Sequence, residues 1–125
     1  MDNPHTYNDL EVEVGKKIAE DFMNEGCPAT AIVCVNDMLA IGVIRTLIQK
    51  GVKVPEDVSV FGFDDVPFAE AFLPPLTTVH YPAAESGRLA ALALLDALQN
   101  DQSEMAVSMK MTPRLVVRDT VAVPK

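Results

Sequence analysis

The chain reads as an α/β fold, a parallel sheet flanked by helices. Three observations carry that expectation. Two short runs, Ala31–Val35 and Val58 to Phe63, are almost continuously apolar and rich in β-formers, as strands covered on both faces are. Each run stops at polar residues, Asn36-Asp37 in one case and Asp64-Asp65 in the other. Between and before them lie stretches with helical apolar spacing, so the order is helix, strand, helix, strand. That order requires right-handed crossovers and parallel pairing.

Taken in order, Met1–Tyr7 is polar and reads as a loop. Asn8 and Glu11 have the spacing of a helix N-cap and its capping-box partner, which predicts a helix from about Asp9 to Glu25. Gly15, Ile18, Ala19 and Phe22 form its apolar stripe, Gly26 is its left-handed stop, and Pro28 follows the break. After the first strand, Asn36 is placed to cap a second helix. That helix carries Ala40, Val43, Ile44, Leu47 and Ile48 on one face and stops at Gly51. A loop containing Pro55 leads into the second strand, where Gly62 allows a close approach by backbone or ligand. Pro67 opens a short helix over Val66–Leu73, which Pro74-Pro75 terminates. Leu76–Tyr81 is β-like. Ala83–Gln99 is a helix with Ala91, Leu94, Leu95 and Leu98 on one stripe. Met105–Val117 alternates loosely and predicts one or two short strands, interrupted at Pro113.

The 125 residues suffice for one domain at most, and the hydrophobic fraction of 49% argues against overall disorder. A net charge of −8 disfavours a nucleic-acid surface on these residues. The apolar runs are short of a membrane span and no signal-like segment opens the chain, so a soluble cytoplasmic protein without membrane contact is expected. Cys27 and Cys34 lack metal-ligand spacing, and Cys34 reads as a small buried residue. No Gly-x-Ser-x-Gly elbow, metal-ligand cluster or assembled triad is present, so neither catalysis nor a cofactor is expected. Asp64-Asp65 could pass for the acid pair of a phosphate-accepting receiver. There the pair follows the first strand, and Thr77–Pro82 would need a lysine that it lacks.

Four stretches together resemble the lactose-repressor (LacI/GalR) family, in its order and at its spacing. They are Asn36 to Gly42, Gly51 to Val60, Gly62-Phe63-Asp64-Asp65 and Pro74-Pro75-Leu76-Thr77-Thr78-Val79. Ser86 to Ala90 and Leu115-Val116-Val117-Arg118 extend the resemblance from about Asn8 to the C-terminus. It implies a periplasmic-binding-protein-like core of type I, here incomplete, made of Rossmann-like subdomains with an effector between them. Residues 1–80 would then be the C-terminal subdomain and residues 81–112 a crossover segment belonging to the N-terminal subdomain. Residues 113–125 would be a return segment. The helix-turn-helix that contacts DNA would lie outside this chain.

The resemblance also assigns roles. Asp64, at a strand end where open α/β sheets bind ligands, would hold effector hydroxyls or amines, while Asp65 would serve as a cap or supporting partner. Asn36 would contact the effector through one part of its amide while capping a helix with the other. Leu10 stands where sugar-binding relatives carry a stacking aromatic. It would be a pocket wall, a departure that weakens the case for a simple hexose unless Tyr7 substitutes. Ile41 and Phe72, with Ala69 and Leu73, would form a homodimer contact. His5, His80, Met105, Met109 and Met111 carry no assigned chemistry. The function implied is effector sensing, of a sugar or related molecule, and dimerisation in a transcriptional regulator. A fragment of a sugar-uptake protein of the same fold is the alternative. An incomplete core of this kind is expected to leave an apolar face of Ala83–Gln99 uncovered.

Overall fold

The structure is a computed structural model, and it describes residues 7–99 and 108–124. His5 and Met105 lie outside the described residues, as does the side chain of Tyr7. In chain order the elements are α1 (Tyr7–Asn24), β1 (Ala31–Val33), α2 (Asp37–Gln49), β2 (Ser59–Phe61), α3 (Pro67–Ala71), β3 (Thr78–His80), α4 (Ala83–Gln99) and β4 (Arg114–Val116). They divide into two compact units, residues 1–80 with 115–125, and residues 81–114.

In the first unit β1 and β2 pair in parallel, with Ala31 opposite Ser59 and Val33 opposite Phe61. The β2 line continues beyond the strand: the Gly62 and Asp64 amides donate to the Thr77 and Val79 carbonyls, and the Val60 amide donates to Thr120. Thus the return segment after β4 lies against β2, and Thr120 is fully buried there, its hydroxyl accepting from the Thr77 amide. Strands β3 and β4 pair with each other.

Helix α2 supplies the centre of the core. Ala40, Val43, Ile44 and Leu47 are completely buried, packed in one cluster with Val58, Val60 and Leu76. Each large aliphatic removed from water in this way contributes about 1.5–3 kcal/mol. The helix begins where Asn36 Oδ1 accepts from the Leu39 amide at 2.9 Å, the expected N-cap. Beside it, α1 crosses so closely that a side-chain carbon on Gly15 would run into the Leu39 carbonyl, and one on Gly42 into that of Val12. Glycine is required at both positions because backbone meets backbone. Gly26, at φ 79°, ends α1 as expected.

Several expectations need correction. Helix α1 spans Tyr7–Asn24, the side chain of the expected cap Asn8 lies outside the described residues, and Glu11 accepts from Asn36, far along the chain. The run Ala31–Val35 is covered on one face only. Cys34 is 5% exposed, whereas Val33 and Val35 are 76% and 79% exposed, the period-two alternation of a half-buried strand. Ile48, expected on the buried face, is 44% exposed in the last turn of α2. Among the described residues of the Met105–Val117 stretch, expected to hold one or two short strands, Arg114–Val116 is a strand and residues 108–113 carry none.

In the second unit α4 spans Ala83–Gln99, the bounds read from the sequence, and none of its residues is buried. Within this unit Tyr81 Oη meets Ser86 Oγ at 3.0 Å. Leu89, Ala90, Ala93, Met109 and Met111 line a cavity of about 220 Å³ with them.

Candidate functional site

The chain leaves β2 through Gly62 and Phe63 and then turns at two successive left-handed residues, Asp64 at φ 114° and Asp65 at φ 55°. Such backbone is uncommon outside glycine and costs of order 1–3 kcal/mol per residue, so surrounding contacts must over-determine it. They do. The Asp64 amide donates to Val79, and the Asp65 carboxylate is gripped from two directions. Arg118 Nη2 donates to Oδ1 at 2.7 Å, and His80 Nδ1 lies 3.0 Å from Oδ2. Burial alone would raise the Asp65 pKa, but the hydrogen bonds from Arg118 and His80 outweigh it and hold the carboxyl below its usual range. An ionised carboxylate only accepts, so His80 carries its proton on Nδ1.

Asp37 sits beneath this turn, completely buried. Its carboxylate accepts from the Thr78 hydroxyl, from the Val66 amide at 2.9 Å and from the backbone of Asp65. Burial pushes its pKa up, with the Asp65 charge adding to that, and the hydrogen bonds only partly offset the rise. Gly62 is the residue that makes room: a Cβ there would collide with Asp37 Oδ1. The close approach expected at Gly62 is thus met by a carboxylate of the same chain. Burial and then Asp37 also push the Cys34 thiol up to about 11, which fits an unreactive core residue.

Asn36 works with both ends of its amide. Oδ1 caps α2, and Nδ2 donates to Glu11 Oε1 at 2.6 Å, tying α1 to the end of β1. Asp64 differs from its neighbours. Its carboxylate is exposed, and among the described residues it accepts no side-chain hydrogen bond. Partial burial, followed by the charges of Asp37 and Glu11, raises its pKa. Asp64 is therefore a free double acceptor on a rigid support, suited to donors such as hydroxyls or amines. Leu10, next to Glu11 on α1, is 55% exposed.

The residues expected at a dimer contact separate into two groups. Ile41 and Ala69 are buried in the core of the chain itself, at 5% and 0% exposed. Phe72 is half-buried, against Phe68 with ring centroids 6.0 Å apart, and Leu73 is 81% exposed. Sequence reasoning missed Glu11, Asp37, Thr78, His80 and Arg118 as parts of this region. Two of them left a usable trace: an acid directly after an apolar strand (Asp37) and a lone basic residue following the apolar Leu115-Val116-Val117 (Arg118). Among the described residues no group of three metal-ligating side chains occurs, and no helix is long and apolar enough to cross a membrane.

Comparison with known proteins gives concordant matches. The family description "periplasmic binding protein-like domain" matches residues 2–121. The HTH-type transcriptional repressor PurR of Vibrio parahaemolyticus is 45% identical over 92 residues, which cover 74% of this chain and 27% of the repressor. A LacI-family transcriptional regulator from Enterococcus faecium, solved with bound ribose, superposes with a TM-score of 0.82 at 31% identity, over 91% of this chain and 42% of that one. The lac repressor dimer bound to operator and the anti-inducer ONPF superposes with a TM-score of 0.78 at 30% identity, over 87% and 37%. The chain thus spans about a quarter to two fifths of the proteins it matches. The match along nearly all of its length, together with the parallel strands that lead toward Asn36 and Asp64, shows that the chain belongs to the periplasmic-binding-protein-like domain family, in the form carried by LacI/GalR regulators.

Proposed function

We propose that this chain is the effector-sensing and dimerisation portion of a LacI-type transcriptional regulator, in which Asp64 and the second Nδ2 hydrogen of Asn36, the one not given to Glu11, hold a small, sugar-like molecule and Leu10 walls the pocket. The observation that carries this reading is the free Asp64 carboxylate. Asp37 and Asp65 spend their oxygens on the chain's own donors, while Asp64, just past β2, meets no side-chain donor among the described residues. Effector binding would shift an equilibrium between two arrangements of the whole regulator and so change its affinity for DNA. Contact with DNA, by a helix-turn-helix, lies outside these residues in this reading, and the whole protein works in the cytoplasm. No bond is made or broken, in keeping with relatives that are repressors. A homodimer contact would use Leu73 and Phe72, the members of the expected set that reach the surface. The alternative, part of a sugar-uptake protein, has less support because the relatives above are regulators.

The test is calorimetric titration of the 125-residue chain and its Asp64→Asn variant against a panel of pentoses, hexoses, disaccharides and nucleosides. One ligand class should bind the parent chain, and the variant should bind it about 10- to 100-fold more weakly, the loss of hydrogen bonds to a charged acceptor. Equal binding by both proteins, or none to the parent chain, would overturn the assignment. Light scattering on the same samples should show a dimer that Leu73→Glu dissociates.

A further inference from the structure

We propose that His80 and Arg118 are positioning residues of the Asp64 site: by clamping Asp65 they set the backbone of Asp64 and so the direction of its carboxylate. This rests on the reading of Asp64 as the effector-binding acceptor. Because no side chain among the described residues hydrogen-bonds the Asp64 carboxylate, its aim comes from its own backbone. That backbone is left-handed at Asp64 and at Asp65. No hydrogen bond within the turn accounts for it, since the side-chain and backbone restraints all come from elsewhere in the chain. The Asp64 amide is held by Val79, the Asp65 and Val66 backbone by Asp37, and the Asp65 carboxylate by His80 from β3 and by Arg118 from the return segment.

Arg118 is itself fixed. Its Nη1 donates to the Leu76 carbonyl at 2.8 Å and its amide to the Thr77 hydroxyl at 2.9 Å, so the guanidinium spans β3's approach and the turn. Its side chain is 16% exposed and that of Asp65 is 13% exposed, so water competes little for this pair. His80 reaches the second oxygen of the same carboxylate and bridges Asp64 in the strand ladder, so displacement of either residue is transmitted to Asp64 through one peptide unit. Asp65 is thus the point where a segment more than fifty residues downstream meets the acceptor.

The experiment measures the three-bond amide–Hα coupling of Asp64 by NMR in the isotope-labelled 125-residue chain, without any ligand. Left-handed backbone at φ 114° gives a small coupling and extended backbone a large one. The parent chain and Arg118→Lys, which keeps a donor at Asp65, should show the small value. Arg118→Met and His80→Phe should shift it toward the large one while the rest of the amide spectrum stays dispersed. An unchanged small coupling in both Arg118→Met and His80→Phe would overturn the inference, even if both melt at lower temperature, because a purely structural role lowers melting without moving Asp64. Should Arg118→Met not fold, His80→Phe against the parent chain decides the matter by the same coupling. The readout needs no ligand, so this inference and the effector assignment fail separately: the first on the coupling, the second on the titration.

Discussion

Helices α2 and α4 are similar on paper and opposite in the structure. Both are apolar, both carry leucines at helical spacing, and both follow an extended segment. Yet α2 buries eight of its residues, while α4 buries none and leaves Leu92, Leu94, Leu95 and Leu98 between 51% and 72% exposed. The unit around α2 closes a core of its own. Among the described residues the unit around α4 has one helix and a short flanking segment, too little to enclose four leucines. An amphipathic pattern announces that a face is made to be covered, but the covering surface is a property of other residues.

Mutations should separate the two units in order of size. Leu47→Ala, at a fully buried site, should cost about 2–5 kcal/mol in denaturant unfolding, whereas Leu95→Ala should change stability by less than about 0.5 kcal/mol. Equal losses would mean that α4 is packed in solution and that the contrast is false. Next, Asp37→Ala removes the acceptor of two amides and the Thr78 hydroxyl at once, and should cost about 3 kcal/mol, read as a fall in the urea midpoint.

Smaller effects sharpen the difference between neighbouring acids. The Asp65 carboxyl is held below its usual range, so the stability it contributes is full above the unfolded pKa of about 3.9. That stability is lost as pH falls through the still lower folded value. Asp65→Asn should therefore lower the melting temperature at neutral pH, with a cost of about 1.5 kcal/mol, and the gap from the parent chain should close in strong acid. Asp64 has the opposite sign. Its raised pKa means that ionisation is a cost to folding that grows as pH rises from the unfolded value through the folded one. Asp64→Asn, which keeps a side chain tolerant of left-handed backbone, should melt slightly above the parent chain at neutral pH and equal to it below about pH 3.5. A melting temperature below the parent's at neutral pH would show that Asp64 has a structural partner.

Local chemistry made the elements legible. Asn36 as a cap, Gly26 and Gly51 as stops, Pro67 as an opener and the bounds of Ala83–Gln99 depend on the residues at those positions and their immediate neighbours. So did the strand-end position of Asp64, which follows from where an apolar run stops. Glu11, read as the partner of a local cap, shows where a long-range partner intervenes: it takes the side-chain amide of Asn36, 25 residues on. The same holds for His80, which shows no partner at any short spacing and finds one in Asp65 only because β3 runs beside the β2 line.

By itself, then, the sequence determined which segments are helix and strand, which family the chain belongs to, and which acid stands at the end of the second strand. The elements and the place of that acid come from short-range sterics, hydrogen bonding and periodicity along the chain, and the family from the order and spacing of its motifs. Tertiary structure alone decided that one face of β1 stays open and that Ile41 and Ala69 are core while Leu73 is surface. It also decided how three neighbouring carboxylates divide their work: Asp37 buried and satisfied, Asp65 clamped by Arg118 and His80, and Asp64 without a side-chain donor among the described residues. The physical reason is that burial and charge pairing depend on distances between residues far apart in the chain, which only the packed fold sets.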